Sequence, residues 1–153
     1  MVRLLLVAAV AAVIAAAVAV SAAPDASSVT TANLRLDTIP FRPELAITSN
    51  QRSRGLMNRR RAPADGMLFV FRSNTSGGFW MKNTLVPLTI VFFDAEGKQV
   101  RRLSMTPCRR DPCPIYEPRR RYRFALELPA NDTRPALKLG PLTKLRQLSR
   151  SAD

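Results

Sequence analysis

The sequence predicts a single, mainly β domain: a small β-sandwich or barrel with one or two short helices. Three observations lead to this fold class. Short apolar segments with the period-two alternation of half-buried strands recur along the chain, separated by turn residues such as Gly, Pro, Asn and Asp. Helical signals are few and short. A chain of 153 residues is long enough for one such domain with one modest core.

An N-terminal targeting segment precedes the domain. One positive charge, Arg3, is followed by an unbroken apolar run over residues 4–20 and then by small residues. This is the pattern of a secretory signal, and Val20 and Ala22 fit the small-x-small rule for cleavage after Ala22. We therefore expect a signal peptide over residues 1–22 and an exported, periplasmic or extracellular protein. The alternative is an uncleaved anchor, although a run made largely of Ala inserts weakly.

The other boundaries follow from composition. Residues 23–32 are mainly Ala, Ser, Thr and Asp with little to bury, which predicts a flexible leader. We assign residues 33–148 to the β-rich domain and residues 149–153 to a tail.

The domain is predicted to begin with two short strands. Leu34 and Leu36 alternate with polar neighbours, which predicts the first strand. A second alternation over residues 41–47 predicts another strand. This strand should be irregular or lie at an edge, because Pro43 has no N–H to donate to a sheet.

A short helix is expected next, over about residues 50–58. Thr48 and Gln51 have the spacing of a capping box. Gly55 inside this helix would lower its stability by about 1 kcal/mol relative to Ala. We therefore expect close packing of the helix on the sheet at that point, with Leu56 and Met57 facing inward.

The central stretch, residues 66–94, holds the only Trp and five of the seven Phe. Residues 67–71 and 88–93 are apolar on both faces, which predicts two interior strands. Residues 94–97 predict a hairpin turn with Gly97 at the position of positive φ.

The last third is less regular. Residues 98–105 predict a strand with a bulge near Arg101 and Arg102, because the apolar alternation slips there. Residues 122–128 show the clearest strand alternation in the chain. A helical turn is predicted within residues 130–137, and residues 142–148 fit either a strand or a helix.

The chain is strongly basic, with a net charge of +13. One interpretation is attraction to polyanions such as anionic lipid or polymer. The other is a solvated surface rich in Arg. No nucleic-acid motif accompanies the charge, so we expect no nucleic-acid partner, and membrane contact only during export. Runs of Arg occur at residues 59–61, 101–102, 109–110 and 119–121.

Two cysteines, Cys108 and Cys113, are separated by four residues. In an exported protein the first interpretation is a local disulfide, and the alternative is half of a soft-metal site. The chain has no His and no second Cys pair, which disfavours zinc. Its methionines, read with the cysteines, would suit Cu(I), but Met is a common filler of core gaps. We predict no metal and no cofactor.

An aromatic-polar patch is the best candidate site. Trp80 offers a stacking face, Lys82 a charge, and Asn83 both a donor and an acceptor. We expect a small polar or anionic ligand, such as a sugar or a peptide end, or a protein partner. The alternative is that these side chains only pack the core and satisfy loop carbonyls. The other candidate ligand-binding residues are Arg52, Met57 and Thr84.

Catalytic residues are not predicted. Without His there is no Ser-His or Cys-His pair and no imidazole base, and no two carboxylates have a spacing that forces them together. The protein is therefore expected not to be an enzyme. The alternative is an envelope enzyme in which Arg52, Lys82 and Glu127 converge in one pocket.

Several short motifs occur in the order of a known family. They are Gln51-Arg52, Gly55-Leu56-Met57, Gly66 to Phe71, Phe79 to Thr84, and Pro87-Leu88. With them the chain resembles the uncharacterised bacterial and archaeal family called domain of unknown function 192. Further motifs resemble its secreted members: Met105, Pro107-Cys108, Cys113-Pro114, Tyr116 and Ala125 to Leu128.

The resemblance covers about residues 41–140 and implies one mostly β domain with jelly-roll-like topology and a few short helices. It implies no established reaction. Two positions depart from the family pattern: Thr89 stands where an Asp is usual, and Asn131 where a Gly is usual. The first departure removes a carboxylate that could have paired with Lys82 or an Arg.

Overall fold

The computed structural model describes residues 29–153, so the predicted signal peptide and most of the predicted leader lie outside the described residues. Two helices are present, α1 (Ser49–Arg54) and α2 (Leu142–Ser151). The strands in chain order are β1 (Leu34–Leu36), β2 (Ile39–Phe41), β3 (Glu44–Ala46), β4 (Met67–Thr75), β5 (Phe79–Trp80), β6 (Leu88–Phe93), β7 (Gln99–Met105), β8 (Ile115–Tyr116), β9 (Tyr122–Pro129) and β10 (Leu139–Gly140).

A five-stranded sheet with the order β3-β4-β9-β6-β7 is the centre of the fold. Strands β3 and β4 are parallel and the other neighbours are antiparallel. The two interior strands predicted from residues 67–71 and 88–93 are confirmed as β4 and β6. Strand β9, predicted from residues 122–128, lies between them and pairs with both.

Both faces of this sheet are buried. On the side called here the helix face, Leu68, Val91 and Leu126 pack with α2 and the three-stranded sheet β10-β1-β2. On the opposite side, the cleft face, Phe69 and Ile90 pack with the segment after α1 and with the chain around β5. The mainly β class with two short helices is confirmed, and within residues 29–153 the sheets stay open rather than closing into a barrel.

The alternation over residues 41–47 does not form one strand. Strand β2 ends before Pro43 and pairs with β1, whereas β3 begins after it and pairs with β4. The predicted irregularity at Pro43 is therefore a change of sheet.

The first helix is shorter than predicted. The capping box of Thr48 and Gln51 is present at its start, but α1 ends at Arg54. Gly55 closes the helix with φ +47°, and a Cβ there would lie 3.1 Å from the Phe69 ring. Close packing on the sheet is thus the reason for this glycine, and the chain turns so that Leu56 is buried.

In the β6–β7 hairpin the bulge lies one residue before the predicted pair. Phe92 is opposite Arg101 and Phe93 is opposite Gln99, which leaves Val100 as the extra residue. The hairpin turn itself forms as predicted, with Gly97 at φ +73°.

Two predictions for the C-terminal third are wrong. Residues 130–137 form no helix: a single turn, in which the Asp132 N–H donates to the Pro129 carbonyl, is followed by irregular chain in which the Asp132 carboxylate accepts from the main chain and side chain of Arg134. The assigned tail over residues 149–153 instead continues α2 and then packs on the domain. Ala152 is buried and Asp153 contacts Arg52.

The ambiguous segment 142–148 is helical. Leu142, Leu145 and Leu148 recur at helical spacing and pack into the helix-face core. Among the residues that the structure describes, no helix has the length and hydropathy needed to cross a bilayer.

Candidate functional site

A small opening on the cleft face, called here the Glu127 cleft, brings four of the predicted site residues together. Arg52, Met57, Trp80 and Thr84 line it, and the carboxyl side chain of Glu127 joins them. The rest of the lining comes from residues 53–56 after α1 and from Phe69 and Phe79. Its volume of about 30 Å³ suits one or two water-sized groups, not a whole ligand.

Strand β5 positions the tryptophan at the rim. Phe79 points inward, with its ring centroid 4.9 Å from that of Phe69 and 5.7 Å from that of Phe92. Met81 is fully buried. Because side chains alternate along an extended chain, Trp80 between them points outward and is 48% exposed.

Phe79 is held in place from behind. The Tyr122 hydroxyl donates a hydrogen bond of 2.8 Å to the carbonyl of Gly77, which ties the loop before β5 to strand β9. The Tyr122 ring also packs against Phe79 and Phe92. Trp80 is therefore displayed by a rigid aromatic base rather than by a free loop.

Glu127 is the chemically distinctive residue of the cleft. It lies in the middle of the central strand β9, opposite Met67 on one side and Ile90 on the other, and is 5% exposed. Within residues 29–153 its Oε2 has no hydrogen-bond partner. Burial away from water raises the pKa of Glu127 to about 8, so this carboxyl is mainly neutral at pH 7 and able to donate a hydrogen bond.

Gly66 lets the chain come close to this strand. It adopts φ +72°, and a Cβ there would collide with the Glu127 carbonyl oxygen. A side chain at position 66 would therefore push β4 away from the segment that carries Glu127.

Arg52 lines the cleft, and both terminal nitrogens of its guanidinium group already have hydrogen-bond partners. It donates hydrogen bonds to the carbonyls of Ile47 and Val70 at 2.6 and 3.1 Å, and to the Asp153 carboxylate at 3.0 Å. It also lies 5.1 Å from the Phe71 ring centroid. Arg52 thus joins α1, the middle of β4 and the segment after α2, and these contacts hold its guanidinium group in place.

Lys82 and Asn83 lie outside the cleft lining. The Lys82 Nζ is 2.9 Å from Asp111 Oδ2, an exposed ion pair of the kind that contributes about 0–1 kcal/mol, and 5.8 Å from the Trp80 ring centroid. Asn83 is an exposed turn residue at φ +57°, a conformation that Asn tolerates, and its carbonyl accepts from the Asn58 N–H at 2.8 Å. The enzyme alternative requires Lys82, Arg52 and Glu127 to converge in one pocket. The structure does not bring them together, because Lys82 lies outside the cleft lining.

Thr89 is not near the cleft. It pairs with Leu128, whose side chain belongs to the helix-face core, whereas its neighbour Ile90 pairs with Glu127 on the cleft face. A carboxylate at this position, which the family resemblance leads one to expect, would thus face the opposite side of the sheet. Its absence does not change the chemistry around Trp80.

The predicted disulfide between Cys108 and Cys113 is present. It closes the loop that carries Asp111, the partner of Lys82, and β8 follows directly and pairs with β5. Both sulfurs are used in the bond, so neither is available to Asp111 as a thiolate partner for a metal.

Glu127 is predicted from the sequence only within the enzyme alternative and not as a ligand-binding residue. The reason for its burial is the order of the strands, which the sequence alone does not show. A polar residue in a strand whose neighbours are apolar on both faces must itself be buried, and the alternation of β9 alone suggested that Glu127 faced solvent.

Comparisons with known proteins agree with this fold. A family model described as "Uncharacterized ACR", DUF192, matches residues 31–140. Among curated proteins, none matches the chain.

Two solved structures are similar to it. A Sinorhizobium meliloti protein described as a candidate transcription regulator has 30% identity and a TM-score of 0.64, over 74% of this chain and 95% of that one. A Novosphingobium aromaticivorans protein of unknown function has 23% identity and a TM-score of 0.64, over 76% of this chain and 89% of that one, and supports the fold alone. The family match spans most of the described residues, and this chain therefore belongs to the DUF192 family.

Proposed function

We propose that this protein is an exported binding domain that takes a small, neutral, hydroxyl-bearing ligand such as a sugar at the Glu127 cleft. The observation that carries the proposal is a buried carboxyl group with an unpartnered oxygen beside an exposed tryptophan. Aromatic stacking combined with a few placed polar groups is a common way to bind such ligands.

The charge state of Glu127 favours a neutral ligand. With a pKa of about 8 the carboxyl is mostly protonated at pH 7, so it can both donate to and accept from a hydroxyl group. An anionic group in the same place would meet this buried carboxyl group, while Arg52 already donates to main-chain carbonyls and Lys82 pairs with Asp111. Arg54, the other cation of the lining, is exposed to solvent. Of the polar and anionic ligands expected from the sequence, the polar ones fit better.

The size of the cleft limits how the ligand sits. Pockets that enclose a small molecule have volumes of about 300–1,000 Å³, whereas this cleft has about 30 Å³. One hydroxyl or hydroxymethyl group would enter and contact Glu127. The rest of the ligand would remain outside and stack on Trp80.

Trp80 is the only tryptophan in the chain, so its fluorescence reports directly on the cleft. Titration with neutral monosaccharides, beginning with glucose and N-acetylglucosamine, should change that fluorescence in a saturable way. Glu127→Gln, which keeps a neutral hydrogen-bonding group of the same size, should retain binding. Glu127→Leu should lose it.

Leu137→Ala is the matched control, because Leu137 is exposed and lies outside the cleft lining. Monosaccharide binding by the wild type should weaken above about pH 8, as Glu127 ionises. Binding by Glu127→Gln should not change over the same pH range. The proposal fails if no monosaccharide alters the fluorescence, or if Glu127→Leu binds as well as the wild type.

A protein partner is the second candidate. Ile115 is exposed and lies opposite Trp80 in the β5–β8 pair, and Leu85 is exposed as well, so the apolar rim is wider than a monosaccharide requires. Ile115→Ser separates the two ideas. It should leave monosaccharide binding unchanged and weaken only the binding of a larger peptide or protein.

A further inference from the structure

A second, larger cavity lies on the helix face, where β4, the β6–β7 turn, β9 and α2 meet. Its volume is about 350 Å³. It is called here the arginine cavity, after its main lining residues: Arg72, Arg123, Arg146 and Arg150, with Ser149 and Glu96. The Glu127 cleft lies on the opposite face of the same sheet, so this cavity is a separate site.

The four arginines come from three elements, and none belongs to the Arg runs of the sequence. Arg72 is in β4, Arg123 in β9, and Arg146 and Arg150 are one turn apart on α2. None of the four forms an ion pair within residues 29–153. Glu96 is the only acidic side chain in the lining, so the cavity carries excess positive charge.

Arg123 is already held in position at the cavity wall. Its Nε donates to Asn74 Oδ1 and its Nη1 to the carbonyl of Arg72, both at 3.0 Å. Two strands are joined by these bonds, so the guanidinium group is fixed before any ligand arrives. Arg146 and Arg150 repel each other across one helical turn, and an anion between them would relieve that repulsion.

Ser149 supplies the independent sign of a binding site. It is only 5% exposed, it lies on α2 between Arg146 and Arg150, and its Oγ has no hydrogen-bond partner within the described residues. Leaving a buried hydroxyl unpaired is unfavourable. An unpaired donor beside four cationic side chains is therefore arranged for an acceptor-rich anion.

We propose that the arginine cavity binds a phosphate group, either free in solution or on the headgroup of an anionic lipid. A tetrahedral oxyanion accepts hydrogen bonds from several guanidinium groups at once, and Arg matches it in paired, bidentate geometry. The Ser149 hydroxyl would donate to a remaining oxygen. The cavity is large enough for the phosphate together with a small attached group.

The test compares wild type with Arg146→Gln/Arg150→Gln and with Ser149→Ala. The matched control is Arg109→Gln/Arg110→Gln, which removes the same charge from exposed positions in the disulfide loop. Calorimetric titration with inorganic phosphate, at constant ionic strength set with NaCl, measures the free source. Co-sedimentation with phosphatidylglycerol/phosphatidylcholine vesicles, against pure phosphatidylcholine vesicles, measures the headgroup source.

Phosphate or vesicle affinity should fall about tenfold or more in the α2 double variant, and about three- to tenfold in Ser149→Ala. The control should bind within about twofold of wild type. Binding in the phosphate titration identifies a free ligand, and binding only to vesicles identifies a headgroup. The proposal is overturned if neither probe binds, if the double variant binds like wild type, or if the control loses as much affinity, which would indicate bulk charge alone. Circular dichroism verifies that each variant is folded.

Discussion

The Glu127 cleft and the arginine cavity lie on opposite faces of one sheet and treat charge in opposite ways. In the cleft, one ionisable group is buried among apolar side chains and is kept mainly neutral. In the cavity, four arginines line an opening to solvent, and three of them, Arg72, Arg146 and Arg150, are exposed. Burial therefore sets the hydrogen-bonding role of the carboxyl group on one face, whereas the number of cationic side chains sets the chemistry of the other.

Substitution of one buried phenylalanine on each face of the sheet should have the largest effects on stability. Phe69 packs on the cleft face and Phe124 on the helix face, and both are buried. Each Phe→Ala change should lower the free energy of unfolding by about 3–5 kcal/mol. Urea denaturation followed by circular dichroism measures the loss.

Only Phe69→Ala should also abolish the Trp80 response to monosaccharides, because the Phe69 ring supports Phe79 beneath Trp80. The Phe→Leu change at each position serves as the control and should be less destabilising. A loss below about 1 kcal/mol at either site would contradict the two-faced core.

The next effect is the dependence of stability on pH. The pKa of Glu127 is raised from 4.5 to about 8 in the folded state, so the folded protein binds more protons than the unfolded chain between these values. Its stabilising contribution is complete below about pH 4.5 and is lost as pH rises through about 8. The free energy of unfolding should fall by at most about 3–5 kcal/mol over this pH interval.

Glu127→Gln should remove this slope, since Gln does not titrate. The measurement is the difference in free energy of unfolding between wild type and Glu127→Gln from pH 4 to 9. A difference that stays constant over this range would show that Glu127 has an ordinary pKa.

Trp80→Ala is expected to lower the free energy of unfolding by only about 2 kcal/mol, because nearly half of the side chain is already exposed. Its neighbour Phe79 packs against three aromatic rings, so Phe79→Ala should cost about 3 kcal/mol or more. Thermal unfolding of the two variants compares them directly. Equal losses would mean that Trp80 is part of the core and not a surface for binding.

The smallest effect belongs to the arginine cavity. Arg146→Gln should raise the free energy of unfolding by about 0.2–0.5 kcal/mol, because it removes the repulsion with Arg150 across one turn of α2. The gain should shrink at high salt, which screens the repulsion. A loss of stability in low salt would indicate that Arg146 is held by attractive contacts.

Much of the fold could be predicted because its signals are local. The apolar runs that became β4 and β6, the alternation of β9 and the capping box of α1 all depend on residues close in sequence. The division of residues 41–47 between two sheets and the end of α1 at Gly55 could not be read this way. They depend on pairing with β1 and β4 and on the nearby Phe69 ring.

The candidate site was only partly predictable for the same reason. Trp80 stands out in the sequence as the single tryptophan in an apolar stretch, and Arg52, Met57 and Thr84 line the same cleft. Lys82 and Asn83 looked like ligand groups but serve an ion pair and a turn. The burial of Glu127 depends on how strands distant in sequence assemble, and so does the convergence of the four arginines.

Glu127 is a buried, mainly neutral carboxyl group that borders the cleft. A carbon-13 NMR titration of its side-chain carboxyl from pH 3 to 10 tests this most directly, with Glu127→Gln used to assign the signal. The expected midpoint is about 8. A midpoint near 4.5, the ordinary value, would show that the carboxyl is solvated and would contradict both its burial and its proposed role in ligand binding.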